Sequence, residues 1–236
     1  MSSQPQLIHP AAPHQLLPAY HLLTNALAQR RQLFNSRVIL HPTTLTIYIL
    51  LISFFLRFNL TLPLATRILL LTGVTIALLS ALRHYSEPFL EAAEKMGTRA
   101  EFERWVLRKK RKSGDVVKEV DPRDVVMVLE WEGRAVGVCC VWGPEAEVWG
   151  WVVERRYRGR GLGRDLLVET VKEWRKRNPG REVEELKVME ECPLFFQIQS
   201  APAFTNCKFT EDEERVKKAL KHAVAAVEAE ENGSKQ

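Results

Sequence analysis

Residues 38–56 and 68–82 contain no Asp, Glu, Lys or Arg, whereas the chain beyond residue 83 is densely charged. As a helix, the first stretch covers about 28 Å at about 1.5 Å per residue, close to the hydrocarbon thickness of a bilayer. Arg57, Phe58, Asn59 and Pro63 separate it from a second apolar stretch, Leu64 to Leu82. Arg67 lies only one turn inside that stretch, where a long cationic side chain can snorkel to the interface. The connection is too short to hold a folded unit, so 38–82 reads as a transmembrane helical hairpin with both outer ends on one side. Arg30, Arg31, Arg37 and Arg83 at the outer ends outnumber Arg57 and Arg67 at the tip, which predicts a cytosolic location for the charged part. The first apolar run starts only at residue 38 and a second follows, which does not fit a cleaved signal peptide.

A length of 236 residues suits one ordinary domain plus an addition. The 46% hydrophobic and 27% charged content excludes a disordered or collagen-like chain. A net charge of +5 permits contact with nucleic acid or with an anionic membrane. Basic residues flank the apolar segments, so the lipid bilayer is the expected partner and nucleic acid is not. The run Arg108-Lys109-Lys110-Arg111-Lys112 suits lipid headgroups or a solvated loop equally well. Cys139, Cys140, Cys192 and Cys207 show no C-x-x-C spacing and the six histidines are scattered, so neither a disulfide framework nor a metal site is expected.

Outside the hairpin the hydrophobic period changes several times. A short strand at Gln6–His9 precedes an amphipathic helix over about 14–34, and Glu87–Arg111 reads as helix that Gly97 can split. Val125–Trp131, Ala135–Trp142 and Glu147–Val153 alternate as three antiparallel strands, with a tight turn at Glu132-Gly133-Arg134. Trp149 and Trp151 are expected on one strand face. Leu162–Arg177 returns to helical spacing, Val183–Met189 reads as a further strand, and Glu211–Glu231 as a charged helix. The chain divides accordingly into 1–37 (first strand and helix), 38–82 (hairpin), 83–210 (main part) and 211–236 (charged tail).

The stretch that carries chemistry is Trp149–Arg164, a strand, then glycines at 159, 161 and 163, then a helix. Alternating glycines let consecutive backbone N–H groups face one concavity, and a helix N-terminus adds positive potential. Arg158, Arg160 and Arg164 add charge, so the implied ligand is a pyrophosphate. A Rossmann loop would read G-x-G-x-x-G in a parallel unit, and a Walker loop would end in G-K-[ST]; neither pattern is present.

On these residues the chain resembles the GNAT superfamily of acyl-CoA-dependent N-acetyltransferases. Arg158-x-x-Gly161-x-Gly163 matches that family's [QR]-x-x-G-x-[GA] motif, and Trp151-x-Val153 with Tyr157-Arg158-Gly159 matches its approach to the loop. A hairpin between the first and second helices, with Gln197, Ser200 and Phe209 further on, is similar to the membrane-tethered camello-like group of that family. The resemblance implies an α+β fold, a mostly antiparallel central sheet flanked by helices with the transmembrane hairpin inserted. It implies acetyl-CoA as co-substrate, a primary amine as acceptor, no metal, and an endomembrane such as the endoplasmic reticulum.

The resemblance also implies roles. Trp151 and Val153 would pair with the pantetheine arm through their backbones, the Val153 N–H would polarise the acetyl carbonyl, and Gln197 would join the cofactor site. Arg158, Gly159, Arg160, Gly161, Leu162, Gly163 and Arg164 would hold the pyrophosphate. Attack needs a deprotonated amine, so a carboxylate base is expected: Glu147 first, then Glu154 and Glu190. Family members usually place a Tyr where Phe204 stands and a Gly where Lys208 stands. Phe has no proton to give a departing thiolate, and Cys207 and Tyr157 are poor substitutes. Pro202 interrupts the expected helix there, and a final strand pair is missing. The readings left open are an N-acetyltransferase, an acyl-CoA-binding protein with impaired catalysis, and a plain membrane-anchored interaction module.

Overall fold

The computed structural model describes residues 7–58, 61, 63–107, 121–143, 145–182, 185–189 and 203–233, with the backbone alone at 106–107, 203–209 and 231–232. Gln197, Ser200, Glu190, Cys192 and the basic run at 108–112 lie outside the described residues, as do the side chains of Phe204, Cys207, Lys208 and Phe209.

Five strands form one sheet in sequence order: β1 Leu7–Pro10, β2 Val125–Trp131, β3 Arg134–Trp142, β4 Glu147–Val153 and β5 Lys187–Val188. The first three pairings are antiparallel and β4–β5 is parallel. Glu132 and Gly133 both adopt positive φ, 54° and 73°, which matches the two-residue hairpin turn that joins right-twisted strands. Helix α1 (Leu16–Leu40) covers one face of the sheet and α6 (Leu162–Arg177) with α7 (Ala203–Gly233) the other. On the α6 side Val125, Leu129, Cys139, Leu166, Val171 and Trp174 are fully buried. On the α1 side Tyr20 and Leu23 meet Val128, Val138 and Cys140. The adjacent thiols of Cys139 and Cys140 therefore enter opposite cores, as the strand period requires.

Trp149 and Trp151 do not share a face. Cys140 pairs with Gly150 but Val141 with Val148, so Trp149 is an extra residue on β4, a β-bulge. The bulge turns Trp149 toward Tyr20, Trp105 and Trp142 on the α1 side, while Trp151 packs on the α6 side. Strict alternation misses this, because a bulge resets the period. Among the described residues β5 pairs with β4 at Glu147↔Lys187 and Val148↔Val188, so the fifth strand is Lys187–Val188 there, while residues 183 and 184 of the expected Val183–Met189 lie outside the described residues.

Helix α1 also outruns its expected end at residue 34. It absorbs Val38-Ile39-Leu40 and stops at His41, because Pro42 has no N–H to continue the ladder. Helix α2 (Pro42–Phe58) departs at 55° and α3 (Leu64–Tyr85) returns beside it, joined by the Tyr48 and Thr75 hydroxyls at 2.7 Å. Neither helix contains a buried residue. Among the described residues one helical run, Leu64–Met96, is long and apolar enough to cross a membrane, and the bent pair ending at Phe58 passes only if taken as one span.

At the base of the hairpin α4 (Glu87–Met96) packs along α1. Phe34 and Phe89 lie 5.5 Å apart and Arg31 Nε donates to Ser86 Oγ at 3.1 Å. Gly97 ends α4 and α5 (Arg99–Leu107) follows, so the expected 87–111 helix is two. The tail helix starts at Ala203, directly after Pro202, and not at Glu211. Proline fits the position before a helix, where no N–H is missed. Among the described residues no strand follows β5; α7 stands there and packs Leu220, Ala223 and Val227 into the α6-side core.

Candidate functional site

The site is assembled where β4 ends. The Glu154 N–H donates to Val136 O at 2.8 Å, toward β3. Backbone alternation then directs the amides of Val153 and Trp151 to the opposite edge, which β5 leaves uncovered. A 3-10 turn, Arg155–Tyr157, leads into the glycine loop. Gly159 and Gly161 have φ of 79° and 83°, a region that side-chain-bearing residues avoid. Gly161 is the N-cap of α6 and offers no side chain, so the first-turn amides of that helix receive no side-chain bond. Gly163 serves another purpose: a Cβ there would lie 3.2 Å from Trp151 Cζ2. Trp151 Nε1 donates to Gly163 O at 3.0 Å, which locks strand and loop together.

Arg158 does more than supply charge. Its Nε donates to Val153 O at 2.7 Å, closing the strand end onto the loop. Burial pushes its guanidinium below the usual arginine range, helped by Arg155 and opposed by Asp212. Arg160 lies over the Tyr157 ring, 6.0 Å from its centre, and Tyr157 packs on Trp131. Leu162 is buried in the core and anchors the start of α6, while Arg160 and Arg164 are exposed.

A cleft of about 330 Å³ lies along these residues. Trp151, Val152 and Val153 form one wall, Ala26, Gln29, Arg30 and Leu33 of α1 another, with Arg158, Gly159 and Gly163 at the loop and Asp212 and Val216 of α7 closing the side. A smaller space of about 70 Å³ shares Ala26, Gln29, Val152 and Arg158 with the cleft and adds Asn25 and Glu154. Glu147 lies elsewhere. It is six residues from Val153, about 20 Å at about 3.3 Å per residue, and pairs with Lys187 Nζ at 3.2 Å. It lines a separate cavity of about 600 Å³ between β5 and α7. Trp151, Val153, Arg158, Gly159 and Gly163 are therefore brought together on one cleft, whereas Arg160, Gly161, Leu162, Arg164 and Glu147 are not among its lining residues. Sequence reasoning did not find Asn25, Gln29 or Asp212, which carry no motif and reach the cleft only through packing of α1 and α7. Among the described residues no cluster of three or more His, Cys, Asp or Glu could hold a metal ion.

A mostly antiparallel sheet carries an arginine and alternating glycines between β4 and α6, and among the described residues β5 pairs with β4 only at Glu147 and Val148. Residues 79–191 match the Acetyltransferase (GNAT) family. The GNAT match begins inside α3 and takes in β2 to β5 and α6, hence the whole glycine loop. GNAT proteins are acetyl-CoA-dependent acetyltransferases as a class, which is the ligand chemistry this loop suits. None of the curated proteins and none of the solved structures compared matches the chain.

Proposed function

We propose that the protein is a bilayer-anchored N-acetyltransferase that moves an acetyl group from acetyl-CoA to a primary amine by direct attack on the thioester. The observation that carries the reading is the junction of β4 and α6, where Trp151 and Val153 at the strand end, Arg158 and the glycines Gly159 and Gly163 converge on one cleft. Amides from Arg158 to Arg164 would hold the pyrophosphate, Trp151 and Val153 would pair with pantetheine, and the Val153 N–H would stabilise the oxyanion. Gln197 keeps its proposed cofactor role on the family resemblance alone.

The acceptor ammonium first loses a proton. The free amine nitrogen then attacks the carbonyl carbon, the C–S bond breaks, and the thiolate leaves with the electron pair. The second nitrogen proton is lost as the amide forms and returns to the thiolate, giving the amide, free coenzyme A and one net proton. Glu154 replaces Glu147 as the favoured base, since it adjoins Val153 and lines the small space beside the cleft, with Arg134 and Arg156 at 3.9 and 3.8 Å, whereas Glu147 pairs with Lys187 at 3.2 Å in a separate cavity. Two exposed apolar helices with an arginine excess at their outer ends support the anchor, a cytosolic site and an endomembrane location.

Calorimetry with acetyl-CoA on the detergent-solubilised full chain tests the reading. Binding is expected for the native protein and not for Gly161→Glu, which adds a carboxylate and backbone strain at the phosphate position. Absence of binding to the native chain would sink the proposal. Phe204 favours a second reading, an acyl-CoA binder with impaired catalysis. Under that reading acetyl-CoA binds, no amine is acetylated, and Phe204→Tyr creates no activity.

A further inference from the structure

The cleft and the apolar hairpin share a wall. Helix α1 lines the cleft with Ala26 and Leu33 and runs unbroken to Leu40, two residues before the hairpin begins at Pro42. Ala26, Leu33 and Leu40 are seven residues apart, so each lies only about 20° from the last around the helix and the three form one stripe. Leu33 is 37% exposed and Leu40 70% exposed, so the body does not cover this stripe between the cleft and the hairpin. The distance along it from Leu33 to Leu40 is about 10 Å at about 1.5 Å per residue. Further from the hairpin, Asn25 and Gln29 join Leu22 and Ala26 of α1 around the small space that also contains Glu154. A molecule moving from the hairpin into the site meets aliphatic side chains first and a carboxylate last.

Resting on the transferase reading above, we propose that the acceptor is a membrane-resident amphiphilic amine. Its aliphatic chain stays in the leaflet and along Leu40 and Leu33, while its amino group reaches the end of β4 beside Glu154. A water-soluble amine needs no such ramp. Arg30 and Arg158 on the cleft walls disfavour an ammonium there, which selects the free base, the form that can attack. The chain in the leaflet also raises the local concentration of acceptor at the site, an effect that two-dimensional confinement supplies without new contacts.

The test uses full-length protein in phosphatidylcholine vesicles with radiolabelled acetyl-CoA and three acceptors: hexadecylamine in the vesicles, butylamine in solution, and a lysine-containing peptide. Hexadecylamine is expected to be acetylated at least about tenfold more efficiently than either soluble acceptor, the gain that about 1.4 kcal/mol of chain contact supplies. Leu40→Asp, at an exposed position where folding tolerates a charge, is expected to raise KM for hexadecylamine about tenfold and to leave KM for butylamine and the affinity for acetyl-CoA unchanged. Equal use of butylamine or the peptide, or indifference of hexadecylamine kinetics to Leu40→Asp, overturns the proposal and leaves the transferase reading standing. Binding of acetyl-CoA without transfer to any of the three overturns it together with the catalytic part of that reading. No binding of acetyl-CoA removes the reading on which it rests.

Discussion

Arg158 illustrates how one side chain can serve two structures. A guanidinium placed only for charge would be interchangeable with an ammonium, but here the Nε–H is spent on Val153 O, and under the proposed function the terminal nitrogens would meet the pyrophosphate. Arg158→Lys keeps the charge and loses the second donor direction. Charge-assisted hydrogen bonds contribute about 1.5–3 kcal/mol, so acetyl-CoA affinity by calorimetry is expected to fall about 10- to 100-fold. An unchanged affinity would mean that the strand-to-loop bond is incidental. Gly143 is a second residue whose identity is imposed by distance: a Cβ there would stand 2.3 Å from the Arg123 carbonyl oxygen, and its N–H donates to Asp124 Oδ1 at 2.8 Å. Gly143→Ala is expected to cost about 1–3 kcal/mol in urea unfolding monitored by tryptophan fluorescence, because the backbone must shift to admit the methyl group.

At the scale of elements, legibility followed periodicity. Strands β2 and β4 and helix α6 have the boundaries that their apolar spacing predicts, and the expected tight turn forms at Glu132-Gly133, where Gly133 suits a positive φ and Glu132 adopts one against its preference. Gly97 splits α4 from α5 because no periodic partner bridges it. What could not be read depends on contacts rather than pattern. The bulge at Trp149 leaves no mark in a run of alternating apolar residues, yet it decides which tryptophan faces which core. Helix α1 continues into the apolar run because a helix does not distinguish a core-facing Leu from an exposed one, and only Pro42 stops it. The glycine loop was legible down to its residues, whereas the α1 and α7 walls of the cleft, with Asn25, Gln29 and Asp212, were not. Deleting Trp149 is expected to close the bulge with Val148 and Gly150 consecutive and Trp151 still on the α6 side, and to cost about 3 kcal/mol in urea unfolding through the lost ring contacts with Tyr20, Trp105 and Trp142; an unchanged stability would mean that Trp149 is dispensable.

For the molecule as a whole, each face of the sheet holds an acid kept neutral by burial. Burial pushes the Cys139 thiol from 9.0 up to about 12, against a hydrogen bond from Thr170, and burial with the nearby Glu101 charge raises the Tyr20 phenol from 10.0 to about 12. Both folded values exceed the unfolded ones, so the stability they contribute is complete below about pH 9 and is lost as pH rises toward about 12. The melting temperature is expected to fall through that window, and less steeply in Cys139→Ser and Tyr20→Phe; identical slopes in all three would refute the assignment. The hairpin is separable by the same whole-molecule logic. Phe34 against Phe89 and Arg31 against Ser86 hold α1 and α4 together beneath it. Replacing residues 42–83 by a short Gly/Ser linker is expected to give a protein that stays in solution without detergent and still binds acetyl-CoA. Aggregation of that variant would show that the apolar helices support the body.

The pairing of Leu7 with Glu130 sets an order for biosynthesis. The first strand and α1 leave the ribosome well before the strand they need, with both apolar helices emerging in between. About 120 residues at about 5–20 residues per second is a wait of about 6–25 s. If the hairpin enters a bilayer as it emerges, the two halves of the sheet meet already tethered to one surface. The closing contact is then made between segments whose ends the membrane has brought together.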